Sequence, residues 1–166
     1  MPKLIKLTDG GLIEAEDVFI DVADEDEIPA GPVIISMTRF QAEGDALISS
    51  NRPVGVRVQT DEAIEDLAYD LPRIAVVALV FPKFRDGRHY SAARLLRERY
   101  SYAGEVRAVG DVLLEQARFM LRCGFDAFVP ADGSTPEAWA AAVSRYRHVY
   151  QRATDDLVPA FEARRG

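Results

Sequence analysis

The stretch Ile74-Ala75-Val76-Val77-Ala78-Leu79-Val80-Phe81 is eight apolar residues without a polar interruption, closed by Pro82. A strand with no polar alternation is one covered on both faces, the situation of a central strand in a parallel sheet. Eight residues fall far short of the roughly 20 that cross a bilayer, so the run reads as core and not as a membrane span.

Working outward, shorter apolar strands are expected at residues 33–37, 54–58, 106–109 and 125–129. Helical patterns fill the gaps. Phe40, Gly44, Leu47 and Ile48 share one face of a helix over residues 40–49. Thr60 caps a second helix, with Asp61 and Glu62 in its first turn and a stripe of Ile64, Leu67, Ala68 and Leu71 that Pro72 ends. A third starts at Ser91 and runs through Tyr100, and Asp111 caps a fourth that ends at Cys123 before Gly124, a residue suited to a left-handed helix stop. The last opens at Thr135-Pro136-Glu137 and runs to about Arg152, with Trp139, Ala142, Val143, Tyr146, Val149 and Tyr150 in its apolar stripe.

Five strand-helix units in series predict an α/β fold with a mainly parallel sheet, because right-handed crossovers are nearly the only way to join them. Strand starts at 33, 54, 74, 106 and 125 also suit a (β/α) barrel, but five units do not close eight strands. The expectation is an open sheet, with a partial barrel-like arrangement as the alternative. In front, Asp9-Gly10-Gly11 joins residues 3–7 and 12–15 into a β hairpin, and residues 19–22 are a candidate third strand. One domain is expected over 1–166: an acidic hairpin segment (1–30), the strand-helix repeats (31–153) and a C-terminal tail (154–166).

The chain has 166 residues, 48% apolar and 28% charged, which excludes a disordered or low-complexity protein. Its net charge of −7 falls wholly within residues 1–30, which hold nine acids against Lys3 and Lys6. An acidic face argues against general nucleic-acid binding and for a basic protein partner, with Asp24, Glu25, Asp26 and Glu27 as the expected docking residues. Residues 83–122 carry nine bases against five acids, so the molecule is expected to be dipolar. The opening Met1-Pro2-Lys3-Leu4-Ile5-Lys6 has no apolar signal core, and a cytoplasmic location is expected.

Ligands of such sheets usually bind beyond the carboxyl ends of the strands. The loop after the central strand, Pro82-Lys83-Phe84-Arg85-Asp86-Gly87-Arg88-His89-Tyr90, gathers cations and a flexible turn there. Lys83, Arg85, Arg88, His89 and the amides near Ser91, with Arg39 from a neighbouring loop, form a candidate site for sulfate, sulfite, phosphate or a carboxylate. No glycine-rich phosphate fingerprint accompanies it. His89 is the histidine placed to move a proton, whereas His148 falls on the side of its helix opposite Trp139. Cys123, the single cysteine, sits in the last turn of an apolar helix and is expected to be an inert buried thiol. Asp86, Asp111, Asp126 and Asp132 lie near strand ends. No metal site, catalytic triad or cofactor is expected from these residues.

Three stretches carry a family resemblance. Arg85-Asp86-Gly87-Arg88-His89-Tyr90-Ser91-Ala92-Ala93-Arg94-Leu95-Leu96-Arg97-Glu98-Arg99-Tyr100, then Gly104-Glu105-Val106-Arg107-Ala108-Val109-Gly110-Asp111-Val112-Leu113, then Arg122-Cys123-Gly124-Phe125-Asp126-Ala127-Phe128 resemble the proteobacterial family catalogued as domain of unknown function 934. Members of that family are typically encoded beside assimilatory sulfite reductase and the reductase for activated sulfate, and are often labelled oxidoreductases. The resemblance therefore implies cysteine biosynthesis and, as the leading expectation, an accessory protein that binds sulfite reductase or its electron donor. The alternative is a small anion-binding enzyme of sulfur metabolism using the Lys83–His89 loop. The family brings no established catalytic residues to carry over.

Overall fold

The computed structural model describes residues 3–83 and 86–144. Arg85, His148, the expected helix beyond Ser144 and the tail 154–166 lie outside the described residues. The hairpin forms as expected, β1 (Leu4–Thr8) pairing antiparallel with β2 (Gly11–Ala15). Then follow β3 (Ile20–Asp21), β4 (Val33–Ser36), α1 (Met37–Ser49), β5 (Val54–Val58), β6 (Val76–Phe81), α2 (Arg88–Arg94), β7 (Glu105–Gly110), α3 (Ala117–Cys123), β8 (Ala127–Phe128) and α4 (Pro136–Ser144).

All eight strands join one sheet in the order β2-β1-β8-β7-β6-β5-β4-β3. From β3 to β8 the neighbours are consecutive and parallel. Consecutive right-handed crossovers put every helix on the same side of the sheet, whereas an open doubly wound sheet reverses its order to clothe both. The alternative expected from the strand spacing is therefore the one realised: the sheet curls into a half-barrel. The candidate third strand does form, but as a two-residue edge parallel to β4, at the opposite end of the sheet from the hairpin.

Chain length makes the curl obligatory. Ala15 and Ile20 belong to the two edge strands and are joined by residues 16–19 alone. Five Cα steps reach at most about 18 Å, while seven strand spacings laid flat measure about 34 Å. The four-residue strap can connect the edges only if the sheet bends towards it.

The helix-facing side of the sheet carries the core. Val33, Ile35, Val54, Val56, Val58, Val77, Leu79, Phe81, Val106, Ala108 and Phe128 are buried there together with Leu96, Met120 and Trp139. Each such side chain stabilises the fold by about 1.5–3 kcal/mol relative to exposure. On the concave side Ile34, Val76 and Ala78 pack under Phe19 of the strap. The expectation that residues 74–81 form a central strand covered on both faces holds, with the strap supplying the second cover.

Two helix expectations are corrected. After Thr60 the chain makes two short 3₁₀ turns, Ile64–Leu67 and Leu71–Arg73, in place of a regular helix. The Glu62 carboxylate accepts the backbone N–H of Gln59 at 2.7 Å and Ala63 is extended, which diverts the first turn. Ile64 and Leu67 still reach the core, since residues three apart eclipse in a 3₁₀ turn. Asp111 does not cap α3. Gly110, at φ +91°, brings the backbone so close to Phe81 that a Cβ would stand 2.4 Å from its carbonyl oxygen. The chain leaves this turn extended, burying Val112, and the Gln116 side chain caps Leu113 instead. At the other end of α3, Gly124 adopts the expected left-handed stop at φ 107°. Among the described residues no helix is long and apolar enough to cross a membrane.

The strap is fastened by an ion pair. Arg107, in the middle of β7, has a side chain only 3% exposed. It donates through Nη1 and Nη2 to the two Asp17 carboxylate oxygens at 2.7 and 3.2 Å and through Nε to Glu105 at 2.6 Å. Removing one partner of a buried pair leaves its counter-charges unpaired, so Arg107→Met is expected to cost about 3 kcal/mol in urea unfolding. The double variant Arg107→Met/Asp17→Asn should lose less than the two single losses added together, the non-additivity expected of a coupled pair.

Candidate functional site

The carboxyl ends of β3 to β8 form one rim, and the described members of both groups of expected functional residues follow these strand ends. After β3, the backbone of Val22 continues the parallel ladder by donating to Ile34 at 2.9 Å. The chain then turns through Asp24, Glu25, Asp26 and Glu27, all four exposed. Arg39 enters from the first turn of α1, whose N-cap is the Ser36 hydroxyl. Its guanidinium donates to the Ala23 carbonyl at 2.9 Å and to Glu43 at 3.4 Å. Arg39 thus ties the acidic turn to α1, a role different from the expected anion ligand.

The loop after β6 stands further along the rim. Lys83 is exposed, and its carbonyl accepts the Asp86 backbone N–H at 2.9 Å. Arg88 forks onto Asp86, Nε to Oδ1 at 3.0 Å and Nη2 to Oδ2 at 2.7 Å. The hydrogen bonds from Arg88 hold the Asp86 carboxyl down at about 2. Ser91 is exposed in the first turn of α2, which begins at Arg88, earlier than the sequence indicated. Lys83, Arg88 and Ser91 therefore share this loop and helix start, with Arg88 engaged by a carboxylate of its own loop.

His89 points inward. It is 2% exposed, packed edge-on against Phe81, with ring centroids 5.9 Å apart. Its Nε2 lies 3.1 Å from the Gln59 carbonyl, an acceptor, so Nε2 carries the proton. Nδ1 is buried without a hydrogen bond of normal geometry. Burial lowers the His89 pKa, against the opposing pull of the Gln59 and Val80 backbones. Cys123 is buried in the last turn of α3, as expected of a structural thiol. Asp126 lies at the amino end of β8, on the opposite rim: it accepts the Val106 N–H at 2.8 Å and pairs with Arg97 at 3.3 Å. Burial raises its pKa, with Arg97 pulling it back. No cluster of three or more potential metal-ligating side chains occurs among the described residues.

The concave face holds a charged network that the sequence reading missed. Besides the Arg107 contacts, Lys6 pairs with Glu105 at 2.7 Å, Arg57 pairs with Asp21, and the Arg107 guanidinium lies 5.8 Å from the centre of the Phe19 ring. Lys6 and Arg107 share one row with Ala127, and Arg107 shares it with Ala78 and Arg57 through the strand register. Three cations balance Asp17, Asp21 and Glu105, so the network holds the strap without leaving a net charge. A signal was present in Glu105-Val106-Arg107, where charges two apart in a strand must share a face.

A buried neutral histidine makes stability depend on pH. Its folded pKa is below 6.5, so the unfolded chain binds the proton more readily. Its contribution is complete above 6.5 and is lost as pH falls from there through the folded pKa. Urea midpoints should drop over this window in the native protein, and His89→Gln, which keeps a donor for Gln59, should flatten that part of the profile.

No curated protein matches the chain. The model of the family described as a bacterial protein of unknown function (DUF934) matches residues 55–161, from within β5 through all later strands and helices. With well over half of its sequence matched, the chain belongs to this family.

Proposed function

We propose that this protein is an accessory component of assimilatory sulfite reduction that docks on sulfite reductase or its electron donor. The observation that carries the docking half of this reading is the acidic turn: Asp24, Glu25, Asp26 and Glu27 stand exposed on one rim, backed by α1 through Arg39. The pathway half comes from the gene neighbourhood that the family resemblance implies. An acidic rim of this kind attracts a basic partner and speeds encounter, an effect that salt weakens as the Debye length falls from about 10 Å at 0.1 M to about 3 Å at 1 M. Among the described residues, His89 and Cys123 are the side chains most suited to proton or electron chemistry, and both face the interior, which favours a binding role over a catalytic one at this rim.

Deleting the gene tests the pathway. Growth on sulfate and sulfite should suffer while sulfide and cysteine restore it; normal growth on sulfite, or failure on sulfide, would place the function elsewhere. Neutralising Asp24, Glu25, Asp26 and Glu27 together should lower the association rate with the partner more than it raises the dissociation rate, measured by stopped flow at two salt concentrations.

A further inference from the structure

Away from the rim, α1 and the 3₁₀ turns before β6 enclose an open groove of about 810 Å³. Gln41, Asp45 and Ser49 line one wall at successive turns of α1, and Tyr69, Asp70 and Arg73 line the other. Two features of this groove have no part in the fold's core or in the acidic turn. Tyr69 is 90% exposed, the most exposed of the large apolar side chains described. The Arg73 guanidinium already sits between two carboxylates, donating to Asp45 at 2.8 Å and to Asp70.

The charge of the groove has a definite sign. Asp45 and Asp70 outnumber Arg73, and residues 61–70 beside it carry five acids and no base. The Asp45 side chain is 86% exposed, so most of its hydrogen-bonding capacity still faces water. The position of Arg73 shows that a guanidinium fits the spacing of these carboxylates. An exposed tyrosine ring alongside offers the flat, electron-rich face on which a second guanidinium stacks, and arginine does this better than the compact, strongly hydrated ammonium of lysine. Tyrosine is also one of the residues enriched among interface anchor points.

We infer that this groove is a docking site for an arginine-bearing segment of a partner protein, with one arginine stacked on Tyr69 and reaching Asp45. The site stands on a different face from the turn at Asp24–Glu27 and does not depend on the sulfite-reduction reading.

The test uses the full chain, ¹⁵N-labelled, titrated with the acetylated and amidated tetrapeptide of arginine at 0.1 M salt, with the tetrapeptide of lysine alongside. Shifts should centre on the amides around Asp45, Ser49 and Tyr69, with arginine binding more tightly than lysine. Tyr69→Ala, at a position too exposed to matter to folding, should weaken binding about threefold to fivefold, the worth of one exposed cation-π contact. Asp45→Asn should weaken it by a similar or smaller factor. Neutralising Asp24, Glu25, Asp26 and Glu27 should leave the affinity at the groove unchanged. Shifts spread evenly over all acidic surfaces, equal binding by Tyr69→Ala and the native protein, or loss of binding only in the variant of the acidic turn would each overturn the assignment.

Discussion

Everything in this molecule is arranged around a strap too short to let the sheet lie flat. Residues 16–19 join the two edge strands, and Asp17 within them is forked by Arg107 from the middle of the sheet. The ion pair does more than hold the strap down. A slip of β7 by one residue would turn Val106 or Ala108 towards Asp17 and bury the arginine among the helices, so the pair also fixes register. Buried ion pairs add little net stability over an apolar replacement, and specifying one arrangement is the use best attested for them.

Curling has a second effect, on where side chains of opposite sign end up. With all helices on the convex side, the loops at the carboxyl ends of β3 to β8 gather on one rim, and residues far apart in sequence become neighbours along it. The acidic turn after β3 is bound to α1 through Arg39, while the cations after β6 are partly matched by Asp86. On another flank, the groove between α1 and the 3₁₀ turns carries Asp45 and Asp70 beside Tyr69. The dipole expected from the sequence is therefore incomplete as a description: residues 41–73 hold seven acids against three bases, a second acid excess besides that of the first 30 residues.

How much of this was legible beforehand depended on the range of the interaction involved. The apolar run 74–81, the Asp-Gly-Gly hairpin and the glycine stop at 124 are local signals, and each appears where the local physics put it. The 3₁₀ turns after Thr60 read as a regular helix because Ile64, Leu67 and Leu71 are buried in either helix type, and the deciding contact is a side chain turning back on Gln59. Arg39 and Arg88 were identified as cations at strand ends, but sequence does not reveal that Ala23 and Asp86 occupy them. His89 is expected in the loop ahead of a helix that starts at Ser91, but the helix begins three residues earlier and turns the ring into the core. The network around Arg107 joins partners 90 residues apart, a pairing that no local periodicity announces.

The sheet order also has a consequence for how the protein is made. The hairpin leaves the ribosome before the parallel block, yet β1 joins that block only through β8, by Ile5 against Phe128 and Lys6 against Ala127. Nascent β1 and β2 must wait for more than a hundred residues of later chain before their inner edge has a partner. Such distant pairings close slowly because loop entropy is lost before contacts compensate, and unpaired strand edges are exposed meanwhile. Seven of the nine acids of the first 30 residues follow the hairpin directly, at 16–27, a run of like charge that discourages it from pairing with a neighbouring chain.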